Sequence, residues 1–523
     1  MVGMKRERLL IVLSVGLLLT ITGIGFASGD PHPSFLSPNA RGDDSDKVGA
    51  RHEGSKDKCY TCHVTIEDKA ALMFKRDVHF AKGISCAACH GGNATEEDQE
   101  KAMDTTAGFI GVPKGDEISR TCANCHSNSQ KMQSLSSSLP TNQWEKLQSS
   151  VHGKLSLTGK EHIAQCITCH SVHEIVSVKS PASPVFPLNI VNTCGKCHSN
   201  AAFMRDYNPA LPIDQVEKYR TSVHGMRNIK HDAKVAECAS CHGSHEIRSA
   251  KDVKSSVYAT NLPSTCARCH SDAQYMKEYN ISTDQYEGYA NSVHGITLLK
   301  KHDLSAPACN DCHGNHGATP PGITSVSKVC GSCHALNAEL FSSSPHKKAF
   351  DELQLPECET CHGNHEIIAA TDQLLGVSTD AVCSRCHSTS DNAKGYAVAA
   401  TMRQLIDSLE TTEKHAAVLL NDAEQKGMEV SDAKFKLRDA HQARMQSRTA
   451  VHSFNEEKFR DVVGKGLTVA SLVAGEGLQA IDEYYFRRWG LGVSTLIISV
   501  VAVSLYLTIR RIERRQGSPT PND

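Results

Sequence analysis

Apolar residues divide the 523-residue chain into three regimes. An unbroken apolar run from Leu9 to Phe26 follows Lys5, Arg6 and Arg8, and Gly25-Phe26-Ala27 closes it with small residues at the −3 and −1 positions of a cleavage site. This layout predicts a signal peptide over 1–27, removed after Ala27, and hence export. Near the other end, Gly490 to Ile509 is a 20-residue stretch without a charge, enough to cross a bilayer core as one helix. Tyr484, Tyr485 and Trp489 precede it as an interfacial belt. Arg510, Arg511, Arg514 and Arg515 follow, against Arg487 and Arg488 on the near side, which places the C-terminus in the cytoplasm. Between Asp391 and Trp489 there is no Cys and no Pro, and Met402, Leu405, Ile406, Leu409, Ala416, Leu419 and Leu420 recur at the 3–4 spacing of an amphipathic helix. The pattern predicts two long helices, broken at Lys426-Gly427 with Ser431 as the next N-cap, the second running nearly to the membrane.

From 52 to 390 neither the helical nor the strand period holds. Short helices linked by irregular Ser-, Gly- and Pro-rich segments, such as 177–187 and 318–322, are expected there. Aromatic residues are only 5% of the chain, so large side chains do not supply the interior. Cysteine and histidine are abundant instead, at 22 and 28. Lys and Arg total 56 against 58 for Asp and Glu, and a formal charge of −2 leaves no basic footprint for nucleic acid.

Every cysteine falls in one motif, Cys-x-x-Cys-His. The series is Cys59/Cys62/His63, Cys86/Cys89/His90, Cys122/Cys125/His126, Cys166/Cys169/His170, Cys194/Cys197/His198 and Cys238/Cys241/His242. It continues as Cys266/Cys269/His270, Cys309/Cys312/His313, Cys330/Cys333/His334, Cys358/Cys361/His362 and Cys383/Cys386/His387. Two thiols three positions apart share one face of a helical turn and can form thioethers to the two vinyl groups of one haem, while the adjacent His binds its iron. Zinc sites and disulfide frameworks have no use for an invariable His after the second Cys. Eleven covalent haems c are therefore expected, with no thiol left over.

The other histidines show a second order. Ser-Val-His-Gly recurs at His152, His224 and His294, with looser relatives at His79 and His346, and each opens a two-motif module. A second set follows a motif His by three positions, as His173, His245, His316 and His365. A third, His162, His231 and His302, lies between them. Repetition at fixed offsets points to the first two sets as sixth iron ligands. His173 is one turn from His170, cannot reach over the same ring, and is expected to serve a neighbouring haem. Five modules in file, preceded by a single unit at Cys59, make a linear array in which about 30 residues per haem force the haems together. Met132, Met204 and Met276, each six residues after a motif His, are read as packing rather than as ligands. The first module has Asn93 where the others have their second-set histidine. The N-terminal units are thus expected to be short of a ligand, and His452, with His441 second, to supply it from a helix folding back; the two stand eleven residues, about three turns, apart on one face.

The motif series with its Ser-Val-His-Gly and Cys-His-x-x-His spacers resembles the multihaem cytochromes c with doubled Cys-x-x-Cys-His modules. More distantly, an array followed by long C-terminal helices resembles the pentahaem nitrite reductase and hydroxylamine oxidoreductase superfamily. The resemblance implies periplasmic electron transfer, with an open catalytic haem in some members. This chain lacks the Cys-x-x-Cys-Lys motif of the nitrite reductase site, and Tyr484 and Tyr485 lie beside the membrane, unlike the crosslinking tyrosine of the hydroxylamine enzymes.

The expected fold class is mainly α with much irregular coil: a haem-packed linear array of two-haem modules, long C-terminal helices and one transmembrane helix. The expected layout is a signal peptide over 1–27, a linker over 28–51, an undecahaem domain over 52–390, a helical stem over 391–488, a transmembrane helix over 489–510 and a cytoplasmic tail over 511–523. The expected function is electron transfer between a membrane quinol-oxidising partner and a periplasmic acceptor, from the periplasmic face of the inner membrane. The alternative is a haem reductase of a small nitrogen or sulfur oxyanion with one open haem, and the balance favours the carrier.

Overall fold

The computed structural model describes residues 57–516 apart from 157, 158, 160 and 323–325. The expected signal peptide, the linker and the last seven residues of the tail lie outside the described residues. Helices and coil make up the described chain, which has no strand beyond a single bridge between Leu155 and His162.

The motifs fall into two main local classes. In the second motif of the first three modules the Cys and His residues end a longer helix, Asp116–His126, Pro187–His198 or Leu262–His270, and the chain leaves through Ser127, Ser199 or Ser271 at an ordinary φ. The last two modules depart from this: Val326–Gly331 and Val382–Arg385 stop short of Cys333 and Cys386. In the first motif of a module the helix is little more than one turn: Ala87–His90, Cys166–His170, Cys238–His242, Cys309–His313 and Glu357–His362. Each is stopped by a residue at positive φ, namely Gly91, Ser171, Gly243, Gly314 and Gly363, at +67° to +84°. The turn swings the following His-x-x-His segment away from its own motif. Glycine adopts this conformation freely, whereas Ser171 holds it with a Cβ.

Four of the five modules open with a buried serine. The hydroxyls of Ser150, Ser222 and Ser292 accept the N–H of Gly153, Gly225 and Gly295, capping a short turn that carries His152, His224 or His294. The glycine is a contact point. A Cβ on Gly225 would stand 1.9 Å from the carbonyl oxygen of Tyr219 in the preceding helix.

The valine before the opening histidine ties each of the first four modules to the next. Its N–H donates to the carbonyl two residues beyond the second-set histidine of the following module: Val78 to Ile175 (2.8 Å), Val151 to Ile247 (2.8 Å), Val223 to Ala318 (3.1 Å) and Val293 to Ile367 (3.0 Å). The fifth opening is Ser344-Pro345-His346. Proline has no N–H to give, and no sixth module follows to receive one.

Beyond the array, three helices replace the two expected: Ala393–Gln425, Ser431–Ala450 and Glu456–Gln516. The break at Lys426-Gly427 is present, with Gly427 at φ +82°, but Val430 takes the cap position and Ser431 is already helical. The second helix does not continue to the membrane. It ends at Ala450 in a tight turn over Val451–Ser453, and Phe454 at φ +48° redirects the chain. Asn455 accepts the N–H of Lys458, and Glu456 and Glu457 in the first turn restart a helix of 61 residues. Its lower part packs Phe459, Val463, Ala470 and Val473 against Met402, Ile406, Leu409 and Leu420. Its upper part bares Leu491 to Ile509 and is long and apolar enough to cross a membrane.

The array and the stem meet at Asp372. This 9%-exposed carboxylate accepts from Arg448 Nε (2.8 Å) and Arg444 Nη1 (3.3 Å), while Arg403 donates to its backbone carbonyl. Replacing Asp372 with Ala removes the carboxylate that joins Arg448 to Arg444, which keeps Glu413 at 2.7 Å, and is expected to cost roughly 2 kcal/mol, read as a lowered unfolding midpoint. Ser171→Gly removes the strained Cβ and is expected to add about 1 kcal/mol in the same measurement.

Candidate haem-binding sites

The imidazoles are brought together in twos. Ten motif histidines each have a non-motif ring facing them, with ring centroids 5.8–6.2 Å apart. An iron lies about 2 Å from each axial nitrogen, and the ring centre about 1.1 Å further, so two rings across one iron stand about 6 Å apart. The described residues therefore fit a haem at each pair. Among them, no group of three or more His, Cys, Asp or Glu forms a metal site from protein ligands alone.

The pairing follows the module register. Each opening histidine faces the second motif of its own module: His79 with His126, His152 with His198, His224 with His270, His294 with His334 and His346 with His387. Each second-set histidine faces the first motif of the preceding module: His173 with His90, His245 with His170, His316 with His242 and His365 with His313. The fifth module has no successor. His362 is faced instead by His452, at 6.0 Å, from the turn between the second and third stem helices.

The expectation that His452 would reach the N-terminal units is thereby corrected. A second-set histidine serves the unit before it, so the one missing at Asn93 would have belonged to the single unit of His63, whereas His452 fills the place left at His362 because the fifth module has no successor. Asn93 builds a turn, accepting from the N–H and hydroxyl of Thr95. His441 bonds Glu413 at 2.8 Å on an exposed face, and because the second helix ends at Ala450 it shares no helix face with His452. His63 lies 3.5 Å from Asp68 and faces no second imidazole among the described residues. His162 hydrogen-bonds Asp116 (2.7 Å) and lies edge-on to Trp144, while His231 and His302 sit exposed in turns at positive φ. Met132, Met204 and Met276 are each 5% exposed.

Ring planes alternate. At the first motif of each module the two imidazoles are nearly coplanar, 12–22° apart. At the second motif they cross, at 60–86° in four modules and 30° at His294 with His334. Several rings are fixed through Nδ1, which leaves Nε2 free: His90 to the carbonyl of Gly111 (2.7 Å), His452 to that of Thr449 (3.1 Å) and His79 to Asp77 (2.8 Å). The Nδ1 atoms of His346 and His387 are buried with no hydrogen-bond partner. Burial disfavours the imidazolium and pulls His152, His224 and His452 below the ordinary histidine range, toward the neutral form that binds metal.

None of the 22 cysteines is in a disulfide. Their thiols link the motifs in chain order. Cys122 lies beside Cys166, Cys194 beside Cys238, Cys266 beside Cys309 and Cys330 beside Cys358. Between these contacts, Cys86 feels Cys59, Cys89 feels Cys125, Cys169 feels Cys194, Cys241 feels Cys266, Cys312 feels Cys330 and Cys361 feels Cys383. Consecutive motifs are thus spatial neighbours from the first to the eleventh. Burial is the main cause that raises the Cys241 and Cys361 thiols to about 11.

Cys62, Cys333 and Cys386 are exposed. Each is the second cysteine of its motif, and the cause is local. Cys62 stands on the outer face of Lys58–Thr65, in the single unit that has no module before it. Cys333 lies past the end of Val326–Gly331, with the hydroxyl of Ser332 at 3.9 Å, and Cys386 follows the last residue of Val382–Arg385. Cys89, Cys169 and Cys312 are exposed as well, each beside a thiol of the next motif, and Cys333 and Cys386 likewise stand beside Cys312 and Cys361 of the motif before.

Two residues that sequence reasoning missed seat the stem turn and the last motif. The Phe454 ring lies 3.7 Å, centre to centre, from His346, so the turn that presents His452 also covers the neighbouring pair. Gly395, at the start of the first stem helix, passes so close to His387 that a Cβ there would stand 2.2 Å from Nδ1. Nothing in the local sequence marks Gly395. The Asn455-Glu456-Glu457 start signal was the clue to the turn.

A cytochrome c3 family model matches residues 78–199 and 230–335, and a model for cytochrome c554 and c-prime matches residues 36–91 and 329–416. Together they take in all eleven motifs. No curated protein and no solved structure matches. Neither family model is that of the nitrite reductase and hydroxylamine oxidoreductase group, so the more distant resemblance gains no support. With covalent haem attachment written into every matched segment, the chain belongs among the multihaem c-type cytochromes.

Proposed function

We propose that this chain is a membrane-anchored electron carrier with eleven covalent haems, passing electrons between a quinol-linked membrane donor and an acceptor on the extracytoplasmic side. Each haem supplies one-electron iron chemistry. The observation that carries the reading is the unbroken file of motifs, ten of them with a second imidazole at the separation of bis-histidine ligation. A carrier needs neighbouring sites that keep their ligands in both oxidation states, and two imidazoles per iron provide that. A reductase would instead need an iron with a free side.

In this reading His79, His152, His224, His294 and His346 hold one set of irons opposite their own modules' second motifs. His173, His245, His316, His365 and His452 hold the other. The C-terminal helix anchors the protein, with the array on the periplasmic face and the C-terminus in the cytoplasm. The third stem helix runs unbroken from Glu456 to Trp489, about 50 Å at 1.5 Å per residue. A quinol in the bilayer is too far from the His452 pair for direct transfer. The donor is accordingly a partner protein whose own redox centre stands beside the stem.

Mass spectrometry of the denatured holoprotein is expected to show eleven haems and no free thiol, the exposed Cys62, Cys333 and Cys386 included, and a lower count would overturn the stoichiometry. His452→Ala is expected to convert one low-spin haem to a high-spin, CO-binding one, while His441→Ala leaves the spectrum unchanged. Coplanar imidazoles split the iron dπ orbitals and crossed ones leave them nearly degenerate. The oxidised protein should therefore show a rhombic and a strongly anisotropic low-spin EPR population in similar amounts, and His452→Ala should subtract from the rhombic one. An all-rhombic spectrum would contradict the alternation.

A further inference from the structure

Five buried residues occupy the same place, two positions before an opening histidine: Asp77, Ser150, Ser222, Ser292 and Ser344. Four are serine and one is a carboxylic acid. The local task is the same, since Asp77 Oδ1 accepts the N–H of His79 at 2.9 Å much as the serine hydroxyls cap their own turns. The valine clamp to the next module is also the same, 2.8 Å from Val78 to Ile175 and from Val151 to Ile247. Capping and clamping thus work without a charge.

The charge at Asp77 nevertheless sits at 2% exposure, where a carboxylate costs free energy unless its bonds compensate. It makes two bonds the serines do not replace. Oδ2 accepts the N–H of Ile175 at 2.7 Å, and Oδ1 lies 2.8 Å from Nδ1 of His79. Of the ten non-motif histidines that face a motif ring, His79 alone has a carboxylate on Nδ1 among the hydrogen bonds of the described residues; His452 has a backbone carbonyl there.

We propose that Asp77 is a potential-setting residue for the haem attached at Cys122 and Cys125, making it a stronger reductant than its counterparts at His198, His270 and His334. The inference rests on the reading that His79 and His126 share one iron. A carboxylate accepting the Nδ1 proton moves electron density toward Nε2, and a more basic axial imidazole favours Fe(III) over Fe(II). Asp77 touches no reacting atom and acts through His79, so it is a positioning and tuning residue.

The test is a spectroelectrochemical titration of the full-length holoprotein with Asp77→Ser and Asp77→Asn. Serine is what the sister modules use at this place, and asparagine keeps the shape while removing the charge. Both are expected to retain the full haem count and to move one haem's share of the absorbance change from the negative end of the titration to higher potential. Curves that superimpose on the parent, a shift to lower potential, or loss of that haem in both variants would overturn the proposal and leave Asp77 a structural cap. His79→Ala separates this from the reading beneath it. If that variant stays fully low-spin, the shared iron itself is wrong, whatever Asp77 does.

Discussion

The array depends on an exchange between neighbours. From the second onward, each module lends one histidine to the module before it, and its carbonyl two residues further on accepts the hydrogen bond of that preceding module's opening valine, as Ala318 accepts from Val223. The clamp and the borrowed imidazole are two residues apart on the same strand of coil, so a 3 Å backbone bond sets where a side chain stands several ångströms away. The positive-φ residue after each first motif makes the loan possible by turning the segment outward. A module without a neighbour would have an unclamped opening and a motif histidine facing nothing.

That dependence explains the stem. Buried apolar side chains are sparse in the array: thirteen from Ala71 to Ala381, against sixteen in the much shorter stretch from Ala399 to Ala474. The array is a chain of contacts that needs an end piece, as repeat architectures do. The stem has a core of its own and serves as that end piece. It replaces the absent sixth module with His452, covers the last pair with Phe454 and holds the junction through Asp372 and two arginines. Pro345 marks the same boundary in the backbone, at the one opening with no successor to bond.

The motif classes show how small local differences become different sites. A longer helix ending in the motif, with serine after it, presents a ring to an opening histidine in a crossed arrangement. A one-turn helix stopped by glycine presents its ring to a borrowed histidine nearly in plane. Through the first three modules the alternation therefore follows from whether a short or a long helix carries the cysteines. Where the second-motif helix stops early, the second cysteine is left at the surface, as at Cys333 and Cys386. Asp77 and the unpartnered Nδ1 atoms of His346 and His387 add a further layer of variation on one backbone plan.

Much of this was legible in the sequence, because spacing is local. The Cys-x-x-Cys-His series, the two histidine sets, the inability of His173 to serve its own motif's haem and the apolar run after Trp489 all depend on residues a few positions apart. The stem's first break was legible too, through Gly427. The partner of each ring was not, because it depends on register between modules some 70 residues apart, set by backbone bonds such as Val151 to Ile247 that any residue but proline can make. That is why spacing alone sends His452 to the wrong end of the array. The turn at Val451–Ser453 lacks proline and glycine and is held by packing of Phe454 on His346, a contact between residues 108 positions apart. Asp372 and Gly395 likewise look like ordinary coil and helix residues until the stem lies against the array. Composition and spacing determined which groups this protein carries; the contacts between distant segments decided which of them meet, since a side chain's neighbour is chosen by the path of the backbone and not by its place in the chain.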